Sequence, residues 1–247
     1  MALAPEDRRG HFCDNPKEAH ITYDLYIGDP SFSSWSLRGW LMFEKFGIPY
    51  RQHMLGIYDG SMKATLADLT PARLVPLMRT PDGVLVGDTL AMAETLAERH
   101  PDKGLWPADP AARGLARWMV AEMHSGFGAL RSACPMQLLH VYEGFVASEG
   151  ALADLARVEE LWGMARSRHG AAGPWLFGAY SIADAFYAPV AARIAGQDLK
   201  VGKVAADYVA QTLNDPAFRK WREMGLERSY DPVPYAMDLP HRPWPVA

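Results

Sequence analysis

Strand-length apolar runs alternate with helical patterns in this chain up to Pro101, and beyond it only helical patterns recur. Residues 22–27 read as a strand. Residues 35–46 follow as a helix, with Leu37, Trp40, Leu41, Phe43 and Phe46 on its apolar face and Gly47 and Pro49 closing it. Residues 50–55 read as a second strand by partial alternation, and 61–69 as a short, weak helix broken by Thr70–Pro71. LVPLMRT and VLVGD, joined by Pro81, Asp82 and Gly83, form a hairpin pattern. A helix with Leu90, Met92, Ala93, Leu96 and Ala97 on one face then ends at His100, because the residue before a proline is driven out of the helical region. The order strand–helix–strand–helix–strand–strand–helix predicts one mixed sheet with helices packed on it.

Residues 101–109 read as a linker anchored by Trp106. Asp109 as N-cap and Pro110 at the first helical position then start a helix. Leu115, Met119, Glu122, Met123, Gly126 and Leu130 keep a three-and-four rhythm up to Cys134–Pro135, and further helices are expected over 151–168, 182–195, 203–213 and 216–224. The expected division is a flexible extension over 1–19, an α/β domain over 20–100, the linker, an all-helical domain over 110–230, and a proline-rich extended tail over 231–247. Tyr235 and Trp244 are the tail's expected anchors.

Composition excludes several function classes. A net charge of −4, from 25 basic and 29 acidic residues of interspersed sign, argues against a nucleic-acid or anionic-membrane surface. No window approaches the roughly 20 apolar residues of a membrane span. The N-terminus lacks the apolar core of a secretory signal. The two cysteines, Cys13 and Cys134, form neither a disulfide framework nor a CxxC, which fits a reducing cytoplasm. His11, Cys13, Asp14 and His20 match no common metal-ligand spacing, and no metal is expected.

Three places carry chemistry. Ser31, Ser33, Ser34 and Ser36 cluster between the first strand and helix, where hydroxyls and free backbone N–H groups converge; helix capping alone is the competing account. Val75–Pro76 precedes a strand. Its proline sits either in an edge strand in trans or in a cis peptide that turns the preceding N–H and C=O outward, where an extended peptide ligand can pair with them. Asp88–Thr89 opens a helix. The helix N-terminus with the hydroxyl suits a carboxylate and the aspartate suits an ammonium, so together they suit an α-amino-acid head.

The ordered set SSWSLR (33–38), LVP (74–76), GDTLAMAETLAE (87–98) and the capping-box sequence SIAD (181–184) resembles the glutathione S-transferases over about residues 21–230. The resemblance is closest to the serine-type, zeta-like and bacterial cytosolic enzymes. It implies an α/β thioredoxin-like N-terminal domain with a mixed four-stranded sheet, followed by an all-α C-terminal domain. It implies glutathione as co-substrate, a homodimer in the cytoplasm, and detoxifying transfer to a small, partly apolar electrophile.

Carried over, Ser33 bonds the glutathione sulfur, with Ser34 as neighbour or substitute. Val75 and Pro76 hold the cysteinyl backbone, and Asp88 and Thr89 the γ-glutamyl head. Gln52 and His53 are expected at the glycyl carboxylate. Met123, His124, Phe127 and Arg131, on one side of a single helix, are expected to face the second substrate, with Arg131 on a carboxylate of either substrate. Related redox proteins carry CxxC or a single cysteine at this helix start, where this chain reads Ser33, Ser34, Trp35 and Ser36, so dithiol exchange and mixed-disulfide chemistry lack their nucleophile; zeta-type motifs also place a cysteine where Trp35 stands, a departure that bears on maleylacetoacetate-type isomerisation. Maleylacetoacetate-type isomerisation, peroxide reduction, and a non-catalytic binding or scaffold role remain as alternatives.

Overall fold

The computed structural model describes residues 22–245. The expected N-terminal extension, with His11, Cys13, Asp14 and His20, lies outside the described residues. The central strand β1 (Tyr23–Ile27) pairs in parallel with β2 (Tyr50–Met54) and antiparallel with β3 (Leu77–Arg79), which pairs with β4 (Leu85–Val86). The sheet order is β2-β1-β3-β4. Leu25 sits between Gln52 and Met78 in register and is fully buried. A strand covered in this way reads as an almost unbroken apolar run rather than an alternation.

Helix α1 (Ser34–Glu44) leaves the C-terminal end of β1 and buries Leu37, Trp40, Leu41 and Phe43. Burial of each such side chain contributes about 1.5–3 kcal/mol. The helix stops at Glu44, short of Phe46; Lys45 caps it, and Gly47 takes φ +58°, which glycine adopts without cost. Helices α2 (Ser61–Ala67) and α3 (Thr89–Arg99) complete the sheet-containing half.

Helices α4 (Pro110–Ser125), α5 (Gly128–Ala133), α6 (Glu149–His169), α7 (Ile182–Gly196), α8 (Lys203–Asn214) and α9 (Pro216–Leu226) make the second half. Helix α7 is its axis. All of its residues are buried except Ala195, which is half-buried, and it packs on α1, α4 and α8. Its N-terminus is a complete capping box between Ser181 and Asp184.

Two expectations fail here. The helix from Pro110 does not run to Cys134: it ends at Ser125, and Phe127 takes φ 56° before α5 begins. Gly126 allows the break, since a Cβ there would lie 2.7 Å from the Glu122 carbonyl oxygen. Strands also reappear after residue 100. Strand β5 (His140–Tyr142) pairs antiparallel with β6 (His241–Pro243), so the tail is tied into a ribbon as well as extended. Trp244, 5% exposed, lies under the Arg222 guanidinium and is the buried anchor, whereas Tyr235 is 46% exposed.

His140 and His241 face one another across this ribbon with ring centroids 4.3 Å apart. Burial, and then the neighbouring His241, lower the pKa of His140. A histidine kept neutral by the fold contributes stability above its ordinary pKa of about 6.5, and that contribution is lost as the pH falls below it. Acidification from about pH 7.5 to 5.5 is therefore expected to lower the amide protection factors of the β5–β6 ladder more than those of β1. His140→Phe should remove most of that difference; an equal pH response in the variant and the native chain would refute the assignment.

Candidate functional site

The loop from Gly28 to Ser33 is fixed by Asp29, which is 1% exposed. Its carbonyl accepts from the N–H of Phe32 (3.1 Å) and Ser33 (2.8 Å), and its carboxylate accepts from the N–H of Ile57 (2.7 Å). Arg228, 3.2 Å away, and the Tyr230 hydroxyl hold the other carboxylate oxygen. From α9, the Trp221 indole donates to the Pro30 carbonyl at 2.8 Å. Gly225 lets α9 come this close, because a Cβ there would sit 2.4 Å from the Ser31 hydroxyl.

On this frame the serines divide their work. Ser33 is the N-cap of α1: its hydroxyl accepts from the Ser36 N–H (3.3 Å) and donates to the Ser36 hydroxyl (2.7 Å). Ser36, fully buried, accepts from the Gly28 N–H at 2.9 Å. The Ser34 hydroxyl accepts from Arg193 Nη2 at 3.3 Å, and among the described residues its own proton has no acceptor. Ser33 and Ser34 line a cavity of about 700 Å³ together with Trp35, Val75, Arg131 and Arg193. Tyr235, from the tail, also lines it.

The Val75–Pro76 peptide is cis, the alternative that presents a backbone edge to a ligand. Gly39 of α1 brings that helix against the proline, since a Cβ there would lie 3.0 Å from the Pro76 ring. Asp88 caps α3 through the N–H groups of Leu90 (2.8 Å) and Ala91 (3.1 Å), and its second carboxylate oxygen is 3.3 Å from His124 Nε2. Thr89 is buried, and among the described residues its hydroxyl has no partner. Asp88 and Thr89 do not line the cavity with the serines. His124 links the two regions, its ring meeting Trp35 edge-on at 5.3 Å.

Other expected residues are engaged elsewhere. Gln52 accepts from the Trp40 indole at 3.0 Å and reaches the Met224 sulfur, while His53 bonds Asp24 at 2.8 Å and stacks on Tyr26. Neither lines the cavity, because both side chains are used to pack the sheet. Met123 is fully buried in the core, and Phe127 is buried beyond the break at Gly126; neither faces the cavity, since the break destroys the single helical face on which they were placed. Of that group Arg131 alone lines the cavity, from α5.

Arg131 and Arg193 line the cavity, and Arg38 joins Arg131 on the Trp35 ring. Arg38, fully buried, donates to the carbonyls of Phe186 (2.9 Å) and Ser34 (3.3 Å) and stands over the Trp35 ring at 4.3 Å, with Arg131 over the same ring at 4.8 Å. Burial lowers the pKa of Arg38, and Arg193 and Arg131 lower it further. Arg193, 5% exposed, is held down to about 10 by burial and then by Arg131, so it stays charged at neutral pH. The signal for Arg193 was present in the sequence, as the one basic residue within an otherwise apolar helix. Cys134, next to Pro135 in the cavity wall, has its thiol pushed up to about 11 by burial and is no ready nucleophile. Among the described residues no group of histidine, cysteine and acidic side chains has metal-site geometry, and no helix is long and apolar enough to cross a membrane.

Comparison with known proteins agrees with this geometry. Residues 32–99 match the family described as glutathione S-transferase, N-terminal domain. A probable maleylacetoacetate isomerase of Caenorhabditis elegans is 32% identical over 119 residues, 48% of this chain and 54% of that protein. The maleylacetoacetate isomerase of Dictyostelium discoideum is 30% identical over 121 residues, 49% of this chain and 55% of that protein. The chain thus spans about half the length of the curated relatives it matches. Among solved structures, a Burkholderia glutathione transferase homologue with bound glutathione superposes with a TM-score of 0.63 at 19% identity, over 84% of this chain and all of that one. At that identity the likeness is one of fold: a thioredoxin-like mixed sheet followed by a mostly helical remainder.

Proposed function

We propose that this chain is a glutathione S-transferase, on the match of residues 32–99 to that family's N-terminal domain, and that it binds glutathione along α1, Val75 and α3 and activates its thiol for attack on a small electrophile. The observation that carries this reading is Ser34, a hydroxyl with a free proton at the N-terminus of α1, in the same cavity as Val75 and its cis peptide. A cysteine thiol has a pKa of about 8.5 and is mostly protonated at neutral pH, whereas the thiolate is the nucleophile. A hydroxyl donor, a helix N-terminus and the nearby guanidinium of Arg193 all favour the anion. Ser34 acts as the donor and Ser33 as the cap that aims the helix. The backbone of Val75 pairs with the cysteinyl unit, and Asp88 and Thr89 receive the γ-glutamyl head, His124 yielding Asp88 to the ligand's ammonium.

Calorimetric binding of glutathione, with the ultraviolet absorbance of the bound thiolate, tests this directly. Absence of both would reject it. Asp88→Asn keeps an N-cap for α3 but removes the charge, so glutathione affinity is expected to fall about three- to tenfold with little change in stability. An unchanged dissociation constant would take Asp88 out of the site.

The relatives named maleylacetoacetate isomerase favour one reaction within this class. There the thiolate adds to a conjugated double bond, rotation follows, and the thiolate leaves, so glutathione is returned unconsumed. Glutathione consumption measured against isomer formation separates that outcome from conjugation. Retention on glutathione resin without turnover of either kind would favour a binding role. A cytoplasmic homodimer is part of the same proposal, and sedimentation checks the dimer.

A further inference from the structure

The segment between α9 and β6 is fastened at both ends and thinly held between them. At one end the Tyr230 hydroxyl and Arg228 hold Asp29. At the other, β6 pairs with β5, the Glu143 N–H donates to the Pro240 carbonyl at 2.8 Å, and Trp244 is buried under Arg222. None of residues 231–240 is buried. Among the described residues, the backbone of 231–239 is hydrogen-bonded to the rest of the molecule only through the Tyr142 hydroxyl. That hydroxyl accepts from the Met237 N–H at 3.0 Å and donates to the Tyr235 carbonyl at 3.3 Å. A segment with so few buried contacts opens well below the free energy of global unfolding. It nevertheless supplies Tyr235 to the cavity wall, and with 46% of its surface exposed that residue stands at the rim. Tyr235 also takes φ 60°, a left-handed conformation that a bulky side chain adopts only where its surroundings impose it.

The Tyr142 ring meets His140 edge-on at 4.6 Å, and His140 lies 4.3 Å from His241. His140 Nε2 is buried and has no partner among the described residues. The charged groups around the ribbon are Arg222 of α9, Arg242 of β6, Glu143 beside β5 and Asp198 beyond α7. Arg222 donates to the Leu138 carbonyl at 2.8 Å, and both carboxylates are taken by Arg242, at 3.6 and 3.2 Å. Arg193 of α7, which also packs on β5, is turned to Ser34. A proton added to either ring therefore meets a second imidazole and no free carboxylate. We infer that residues 231–240 form a tethered strap that carries Tyr235 in and out of the cavity wall, that the Tyr142 hydroxyl is its latch, and that a proton on the histidine pair releases it. The inference rests on the glutathione reading for what the strap covers, and adds to it a control by pH. Burial and His241 hold His140 neutral in the closed ribbon. The strap is thus closed above a histidine's ordinary pKa of about 6.5 and opens as the pH falls below it.

Hydrogen exchange at the Met237 amide reads the latch directly, as a protection factor, whatever the cavity binds. Tyr142→Phe keeps the ring against His140 and removes only the hydroxyl. At neutral pH it is expected to lower protection at Met237 about tenfold and to leave that of the β5–β6 ladder within about twofold. Acidification from about pH 7.5 to 5.5 is expected to move the native chain toward the level of the variant, and His140→Phe to abolish that response. Unchanged protection in Tyr142→Phe, or an undiminished acid response in His140→Phe, would overturn the inference. The second measurement is the dissociation rate of S-hexylglutathione, which has no thiol to titrate. That rate is expected to rise about three- to tenfold in Tyr142→Phe at neutral pH, and in the native chain on acidification. A rate that stays constant while Met237 loses protection would overturn the role of the strap at the cavity. Should S-hexylglutathione not bind, the glutathione reading fails, and the exchange measurements alone decide whether the strap and its latch exist.

Discussion

Replacing Ser34 with alanine is expected to raise the pKa of the bound glutathione thiol by about one to two units, while replacing Ser33 changes stability more than chemistry. A hydrogen bond to a charged group is worth roughly 1.5–3 kcal/mol, and one pKa unit corresponds to about 1.4 kcal/mol. Below the native thiol pKa the Ser34→Ala variant should lose about ten- to a hundredfold in kcat/KM, and part of the loss should be recovered as the pH rises. Ser33→Ala removes an N-cap, an effect of about 1 kcal/mol on stability. The distinction follows from the hydrogen bonds: the Ser33 hydroxyl is committed to Ser36, whereas among the described residues the Ser34 proton has no acceptor. Titration of the thiolate absorbance in the two single variants decides between them. A raised pKa in Ser33→Ala with none in Ser34→Ala would reverse the assignment.

Asp184→Ala is expected to be the most destabilising single change, at about 3–5 kcal/mol. The carboxylate is 1% exposed and accepts from the Leu176 N–H (3.0 Å), the Ser181 N–H (2.8 Å), the Ser181 hydroxyl (3.1 Å) and the Tyr208 hydroxyl (3.1 Å). Alanine would leave buried donors from three residues unmet, in a protein whose total stability is of order 5–15 kcal/mol. Urea unfolding measures the loss, and a change below about 1 kcal/mol would contradict this account. Burial pushes the pKa of Asp184 up from 3.8 to about 6, against the pull of these hydrogen bonds. With the folded-state value raised, its contribution is present below the ordinary carboxylate pKa and declines as the pH rises through about 6. The stability gap between the native chain and Asp184→Asn should therefore narrow between roughly pH 4 and pH 7.

The sheet-containing half was legible because its signals are local: a buried run at β1, a Pro-Asp-Gly turn, and Asp88 as a cap. The helical half was legible in period but not in its break. Apolar spacing continues through Gly126 and Phe127 whether or not the backbone does, and only the backbone shows that Met123 and Phe127 point into the core. Strand β5 escaped notice because three residues carry little pattern and their partner lies at the far end of the chain. At the site, the serines and Val75 could be placed from the order of motifs. Gln52 and His53 could not, since what removes them is a long-range partner for each, Trp40 and Asp24. Arg193 was visible as the one basic residue of a largely apolar helix, but that signal acquires a meaning only when the cavity beside it is seen.

The loop ahead of α1 is fastened by Trp221, 191 positions later in the chain, and by Tyr230, 201 positions later. Order of synthesis thus runs opposite to order of completion. A nascent chain released as far as α8 has every strand of its main sheet and the four serines between β1 and α1, yet the clamps that hold the serine loop in place have not been translated. The first-made part of the molecule is the last to become competent.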